Sequence, residues 1–442
     1  MLLEFAVGNY RSFHQPVTLS LLATSLRDDP ELDERNVFRA GKFSLLRSAA
    51  LYGANASGKS NLVRAIMFMR NFVLNSATKL QAGEKIPVER FRLDVSARKK
   101  PAYFQIVFLL DGKRYRYGFE ADEERVHSEW LYHAAQRETR LFAREGQEFE
   151  ISAPLRRESP LSVQRQTRSN ALFLSVLAQF NSKTATELLE WFRFHLRAIS
   201  GLNDEVYAGY TMERLEREYT FLQRVREVIR LADTGILDLS VQTLPFDHPA
   251  LPDEVRDTLK TIAAKENKPE NEFTIKNMET KHPLFDGEQQ VGHETLEMSD
   301  ESEGTQKFLA LTGPLFDVLE NGWTLVIDEL EARLHPLLTR EIVRLFNTPD
   351  SNPRNAQLVF ATHDAGLLGE CLLRRDQIWF MQKNRYGATE LYSLAEMKER
   401  KDASYLKNYL AGRYGGVPLI GGLRPYIEQE LNDGAETKTE RA

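Results

Sequence analysis

One octapeptide constrains this chain more than any other feature: Gly53-Ala-Asn-Ala-Ser-Gly58-Lys59-Ser60. It follows an apolar run from Ala49 to Tyr52 and opens a helical stretch from Asn61 to about Leu74. The pattern GxxxxGK[ST] set between a strand and a helix is a phosphate-binding loop. Glycine lets backbone N–H groups turn inward on phosphate oxygens, and the helix N-terminus adds its positive end. Lys59 is placed to neutralise the β- and γ-phosphates and Ser60 to ligate Mg2+. The candidate nucleotide contacts are Gly53, Asn55, Gly58, Lys59, Ser60 and Asn61.

Such a loop needs acidic and polar partners at the same sheet edge, and the final third of the chain offers them. A strand from Thr324 to Ile327 ends in Asp328-Glu329, where the first carboxylate can hold Mg2+ and the second can polarise the attacking water. This is a Walker B pattern with a catalytic glutamate. A further strand, Leu358 to Phe360, leads to His363, one helix and one strand beyond Glu329. Alternation of this kind implies a mostly parallel sheet, so both strand ends can lie side by side and the imidazole can meet the γ-phosphate. Upstream, Ser299-Asp-Glu-Ser302-Glu-Gly304-Thr305 opens the helix before the Walker B strand. Its N-terminus can face an anion, or Ser302 can be an ordinary N-cap. Glu329 and His363 are thus the expected catalytic residues, Ser60 and Asp328 the expected Mg2+ ligands, and ATP the expected substrate.

Composition narrows the class. With 442 residues, 42% hydrophobic and 28% charged, the chain is globular and long enough for two or three structural units. A formal charge of −6 gives no global mark of a nucleic-acid coat. Cys371 has no second cysteine to pair with, and the start Met-Leu-Leu-Glu-Phe lacks a secretory pattern, so a cytoplasmic setting is expected. No apolar run approaches the ~20 residues that cross a bilayer, and no membrane partner is expected.

Up to about Glu120 the pattern is β-rich. Tyr103 to Leu110 and Lys113 to Phe119 flank Asp111-Gly112, a pair suited to a type I′ hairpin turn. A second hairpin is expected from Arg140 to Ile151, turning at Glu145-Gly146, followed by helical pattern over Asn170 to Phe180 and Glu187 to Leu196. From Thr211 to Leu231, Met212, Leu215, Tyr219, Leu222, Val225 and Ile229 recur at helical steps among Glu and Arg. That stripe either covers its own domain or makes a short dimer contact. Lys265 to Glu272 reads as a polar linker. Lys59 and Asp328 are much further apart than one minimal domain requires, so the chain between them is read as an insertion. The expected division is 1–125 and 273–397 as the two lobes of one ATPase head, 126–272 as a β-hairpin and helical insertion, and 398–442 as a tail.

The order of P-loop, Ser302-x-Gly304 turn, Asp328-Glu329 and His363 resembles the ABC-type ATPase heads of the SMC, RecF and OLD group. Gly8-Asn9-Tyr10-Arg11-Ser12-Phe13 is similar to the N-F-[KR]-S-F start of those heads. The phrases SEGTQKFLAL, IDELEARLHPLLTREIVRLFN, QLVFATHD, RDQIWF and YLAGRYGGVP resemble the fifteenth subfamily of AAA-annotated ATPases, the RloA/AbiLi type of anti-phage loci. The resemblance implies an α/β fold: an ABC-type P-loop NTPase head with a mixed sheet and helices, an antiparallel β subdomain, and a largely helical insertion. It implies heads docked head to tail, so that Ser302 and Gly304 touch the γ-phosphate held by the other copy while Arg11 touches the nucleotide of its own. It also implies a homo-oligomer and a separate effector, such as a TOPRIM-like or RloB-like nuclease. Thr305 departs from the transporter LSGGQ pattern, and no Q-loop glutamine stands out, Gln105 falling inside a strand.

Two other readings compete. Arg137, Arg140, Arg144, Arg156, Arg157, Arg165 and Arg168 could meet DNA phosphates in a RecF-like repair ATPase, although glutamates interleave with them. A nucleotide-bound scaffold without hydrolysis is the other. No NKxD sequence is present for a GTPase, and the large insertion and weak signature fit a transporter ATPase poorly.

Overall fold

In a computed structural model of the chain, residues 1–418 are described apart from 27, 135–136, 159, 161, 204, 233–234, 246–247, 249–252, 267–268, 270–273 and 370. The strand entering the P-loop, Ser48–Tyr52, is buried at every position because it lies in the middle of a sheet. It runs parallel between Gln357–Ala361 and Ile378–Lys383. The sheet continues through Thr324–Asp328 to Leu196–Ser200 on one side, both parallel, and to the antiparallel edge Thr389–Ser393 on the other. Successive strand residues face opposite sides. Leu51, Val326, Val359, Ala361 and Met381 meet the P-loop helix Lys59–Asn75 through Leu62, Val63, Ile66 and Met69. Ala50, Tyr52, Leu325, Ile327, Leu358 and Phe360 meet the helices Glu303–Asn321 and Pro336–Asn347 through Phe308, Leu311, Leu315, Ile342, Val343 and Phe346. The fold is therefore α/β, a P-loop NTPase head with helices on both faces of its central sheet.

A seven-stranded antiparallel sheet packs on the P-loop side, in the order Glu148–Ile151, Glu138–Glu145, Val126–Ala134, Lys113–Ala121, Ala102–Leu110, Leu2–Gly8, Val17–Ser20. The first expected hairpin is present: Asp111 and Gly112 both have positive φ, 49° and 73°, as a type I′ turn requires. The second turns one residue later than expected, at Gly146-Gln147, because Glu145 still pairs with Glu148. The expected boundary at 125/126 divides a single sheet, since Val126–Ala134 pairs along the whole of Lys113–Ala121. Gly118 accommodates this pairing, as a Cβ there would overlap the Trp130 ring. Leu196, expected to end a helix, instead begins the strand beside Thr324–Asp328 after a π-helical turn over Trp191–His195.

The chain from 205 to 297 supplies the remaining unit, with helices Glu205–Arg217, Tyr219–Leu231 and Asp253–Glu266 and the antiparallel strands Asp238–Pro245, Thr274–Asp286 and Gln289–Glu297. The expected continuous helix from Thr211 to Leu231 is two helices, broken where Glu218 takes an extended conformation. The break turns Tyr219 outward to 73% exposure and brings Phe221 in with Leu215, Val225 and Ile229 against Leu309. The apolar stripe is thereby spent on packing within the chain. Of the expected linker, 267–268 and 270–272 lie outside the described residues, as does the tail beyond 418. The part of the tail before that point folds back, with Tyr409 and Tyr414 buried and the Tyr409 ring 5.7 Å from Tyr52. Within YLAGRYGGVP, Tyr409 and Tyr414 thus pack beside the P-loop strand, while Leu410 to Arg413 stay exposed. Among the described residues no helix is long and apolar enough to cross a membrane.

One buried charge cluster fastens the edge of the antiparallel sheet. Glu129 accepts from the N–H groups of Phe173 and Leu174 at 2.6 and 3.0 Å and from the Tyr117 hydroxyl at 3.0 Å, and Arg144 lies 3.5 Å away. Burial pushes the Glu129 carboxyl above its usual range, against the pull of Arg144 and the three donors. Glu129→Ala leaves the arginine buried and unpaired, so a loss of about 3–5 kcal/mol is expected, read from the urea midpoint.

Candidate functional site

The carboxyl ends of the parallel strands form one edge, the usual place for a ligand in such sheets. At the centre is the loop from Gly53 to Gly58. Gly58 has φ 116°, and a Cβ there would overlap the Thr389 hydroxyl. A Cβ on Gly53 would stand 2.5 Å from the Met381 carbonyl oxygen. Ala56 is also left-handed, at φ 63°, and Asn55 lies on the exposed crest. Lys59 reaches back over the loop and donates to the Gly53 carbonyl at 2.7 Å. Burial pushes its ammonium pKa down, while Glu331, Asp328 and Glu329 pull it up.

Asp328 ends its strand 9% exposed, with the Ser60 hydroxyl beside its carboxylate. Burial raises its pKa against the pull of Ser60, Arg64 and Lys59. Its Oδ1 is buried and has no hydrogen-bond partner. An unpaired carboxylate oxygen beside a hydroxyl is oxygen donor chemistry that suits Mg2+, so the expected ligands Ser60 and Asp328 fit the ion.

Glu329 turns the chain at φ 52°. The turn is gripped from two sides that sequence reading did not identify. Lys307, wholly buried in the helix Glu303–Asn321, donates to the carbonyls of Glu329, Leu330 and Ala332. Gly201 donates its N–H to the Asp328 carbonyl at 2.6 Å, and a Cβ there would overlap the Glu329 carbonyl. His363 follows the neighbouring strand with its side chain exposed and its backbone N–H donated to Glu331. Glu331, also missed, therefore stands among Lys59, Asp328 and His363.

Arg11 and Asn61 meet on the other flank. Arg11 Nη1 donates to Asn61 Oδ1 at 3.4 Å, its guanidinium also pairs with Glu89, and Asn61 Nδ2 donates to Ser12 Oγ at 2.8 Å. Thr389 closes the circuit: its backbone N–H donates to the Ser12 carbonyl at 2.7 Å and its hydroxyl to the Ser57 carbonyl at 2.7 Å. The turn Asn9–Phe13, the P-loop and the edge strand are thus stitched together.

Ser302 accepts from the Thr305 N–H at 3.1 Å and so is the N-cap of its helix. At Gly304 a Cβ would lie 2.8 Å from the Arg333 carbonyl oxygen, so glycine lets the helix start approach the turn after the Walker B strand. Gln105 accepts from Arg116 and Trp130 within the antiparallel sheet. Much of the arginine run is used internally: Arg144 is buried, Arg140 pairs with Glu150, Arg156 donates to the Ile151 carbonyl, and Arg168 donates to those of Ser76, Ala77 and Leu80.

Residues 48–369 match the family model described as "AAA domain, putative AbiEii toxin, Type IV TA system". Similar solved structures include an SMC head bound to the C-winged-helix domain of ScpA, at 12% identity over 90% of this chain and 99% of that one, with a TM-score of 0.43. The recombination mediator RecF of the RecFOR pathway matches at 12% over 88% and 98%, TM-score 0.26. The cbiO1 component of the ABC transporter complex cbiONQ of Clostridium perfringens matches at 11% over 86% and 95%, TM-score 0.28. No curated protein matches the chain.

The grip on the Walker B turn can be tested by stability alone. Gly201→Ala forces a methyl onto the Glu329 carbonyl and is expected to cost about 1–3 kcal/mol. Gly209→Ala, at a helical glycine whose Cβ would meet nothing within 4 Å, is the control and should stabilise slightly, by about 0.4–1 kcal/mol. Thermal melts of the two variants check the contrast.

Proposed function

The chain belongs to this AAA-domain family, and on that premise we propose that it binds Mg2+-ATP and hydrolyses it between two copies docked head to tail. The observation that carries the reading is the meeting of Lys59, Ser60, Asp328, Glu329 and His363 at one sheet edge from segments far apart in sequence. Backbone N–H groups of the loop and the start of the P-loop helix would receive the phosphates, and Lys59 would turn from the Gly53 carbonyl onto the β- and γ-oxygens. Mg2+, held by Ser60 and Asp328, would offset phosphate charge. Glu329 would accept a proton from the attacking water, with its carbonyl already fixed by Lys307. His363 would contact the γ-phosphate, and Arg11 and Asn61 would border the nucleotide. Ser302, exposed at a helix N-terminus, and the half-buried Gly304 would meet the phosphate held by the second copy.

We further infer a regulatory role in anti-phage defence, of the RloA/AbiLi type, acting through a separate protein effector such as a TOPRIM-like or RloB-like nuclease. The AbiEii toxin named in the family's description and the subfamily phrases support this. Internal use of most of the arginine run weakens the DNA-clamp reading.

The test compares oligomeric mass and ATP turnover of wild type, Lys59→Ala and Glu329→Gln. Wild type should hydrolyse ATP, Lys59→Ala should lose nucleotide binding, and Glu329→Gln should lose about 10²–10⁴-fold in turnover while accumulating a larger ATP-bound assembly. Normal turnover by Glu329→Gln with no assembly would make the chain a nucleotide-bound scaffold. Co-purification with the product of a neighbouring gene tests the effector.

A further inference from the structure

The turn after the Walker B strand carries a third carboxylate with no assigned task. Glu329 sends the chain back over the sheet edge, and Leu330, wholly buried, donates its N–H to the Ala361 carbonyl at 3.2 Å. The Ala332 N–H returns to the Glu329 carbonyl at 3.1 Å and the Leu334 N–H to the Glu331 carbonyl at 2.8 Å, so the turn is closed on itself. From it, Glu331 Oε1 accepts the backbone N–H of His363. Thr324–Asp328 and Gln357–Ala361 are adjacent parallel strands. The Leu330–Ala361 and Glu331–His363 bonds therefore extend their ladder past the last strand residues to the histidine itself.

We propose that Glu331 is a positioning residue for ATP hydrolysis: it tethers the His363 backbone to the Walker B turn and so fixes where the imidazole stands relative to Glu329. The inference rests on the ATPase reading above and adds to it.

One observation sets this apart from plain packing. Glu331 Oε2 is buried without a hydrogen-bond partner, so the side chain keeps a costly position while its other oxygen holds the His363 amide. One side chain thus joins the Walker B turn and the switch histidine. Loss of the tether frees the His363 backbone while leaving the P-loop residues and the Ser60–Asp328 pair unchanged, so the chemical step should suffer and ATP affinity should change little.

The experiment measures kcat and KM for ATP in wild type, Glu331→Ala, Glu331→Gln, His363→Ala and the Glu331→Ala/His363→Ala double variant of the full chain. Glu331→Ala should lower kcat by about 10- to 100-fold with KM little changed, the scale of a misplaced catalytic group. Glu331→Gln, which keeps an acceptor for the amide, should recover most of that loss. In the His363→Ala background, Glu331→Ala should cost little more, because both changes remove the same positioned group. Additive losses, a Glu331→Ala enzyme as fast as wild type, or Glu331→Gln as slow as Glu331→Ala would each overturn the proposal. A wild type without turnover would sink the ATPase reading and this inference with it, whereas wild-type turnover with additive losses sinks this inference alone.

Discussion

The parallel pairing of three short strands is the constraint on which everything else depends. Ser48–Tyr52 pairs with Gln357–Ala361, which pairs with Thr324–Asp328, and the registers align Ala50, Phe360 and Ile327 across the sheet. Gly53 and His363 then leave the sheet at one level, two residues beyond that of Asp328. A slip of one residue would turn each strand's apolar residues to the wrong face and misplace Asp328. Buried amides hold the register at the opposite end. Gln357 accepts from the Leu2 N–H and donates to the carbonyls of Leu2 and Leu46, while Gln377 donates to Ser48 and accepts from Asn36. Gln357 is satisfied only if both sheets are in place, and Gln377 only if the helix Pro30–Asn36 meets the central sheet, so these bonds specify the arrangement as well as stabilise it.

Backbone strain gathers at the same edge. Asn9, Arg11, Ala56, Glu329 and Arg333 have left-handed conformations although none is glycine. Each such residue costs of the order of 1 kcal/mol and persists only where its surroundings over-determine it. Here the surroundings are identifiable: Thr389 and Asn61 on the side of Arg11, Lys307 and Gly201 on the side of Glu329. The result is a site whose loops are fixed in advance, which for the proposed hydrolysis would lower the reorganisation required at the moment of reaction.

What the sequence made legible was whatever is local. The P-loop, the Asp328-Glu329 pair and the strand before His363 are contiguous patterns whose residue types follow from their chemistry, and the alternation of strands and helices in the final third implied the parallel sheet. Lys307, Gly201, Thr389 and Glu331 have no such signature, because their importance comes from tertiary neighbours. A lysine on an apolar helix face reads as a solubilising charge until three carbonyls are found around it. The boundary near 126 failed for the same reason: only long-range pairing reveals that Val126–Ala134 and Glu138–Glu145 extend the N-terminal sheet. The helix break at Glu218 is hidden too, since Phe221 can replace Tyr219 on the buried face without disturbing the helical spacing by much.

Lys307 also gives the helix Glu303–Asn321 a physical route to the turn after Asp328. The helix begins at Ser302, whose exposed N-terminus is suited to meeting an anion, and its first turns carry Lys307 inward to the Glu329, Leu330 and Ala332 carbonyls. Hydrogen bonds from a charged donor are worth roughly 1.5–3 kcal/mol each when formed, so the helix cannot shift without straining the turn. Gly304 reinforces the link, because its backbone lies against the Arg333 carbonyl, where a side chain would force the two apart. An anion drawing on the helix start would act on the Glu329 backbone through a rigid connection a few residues long. On the proposed head-to-tail reading, capping by a second copy and the placement of the Glu329 carboxylate would be a single mechanical event.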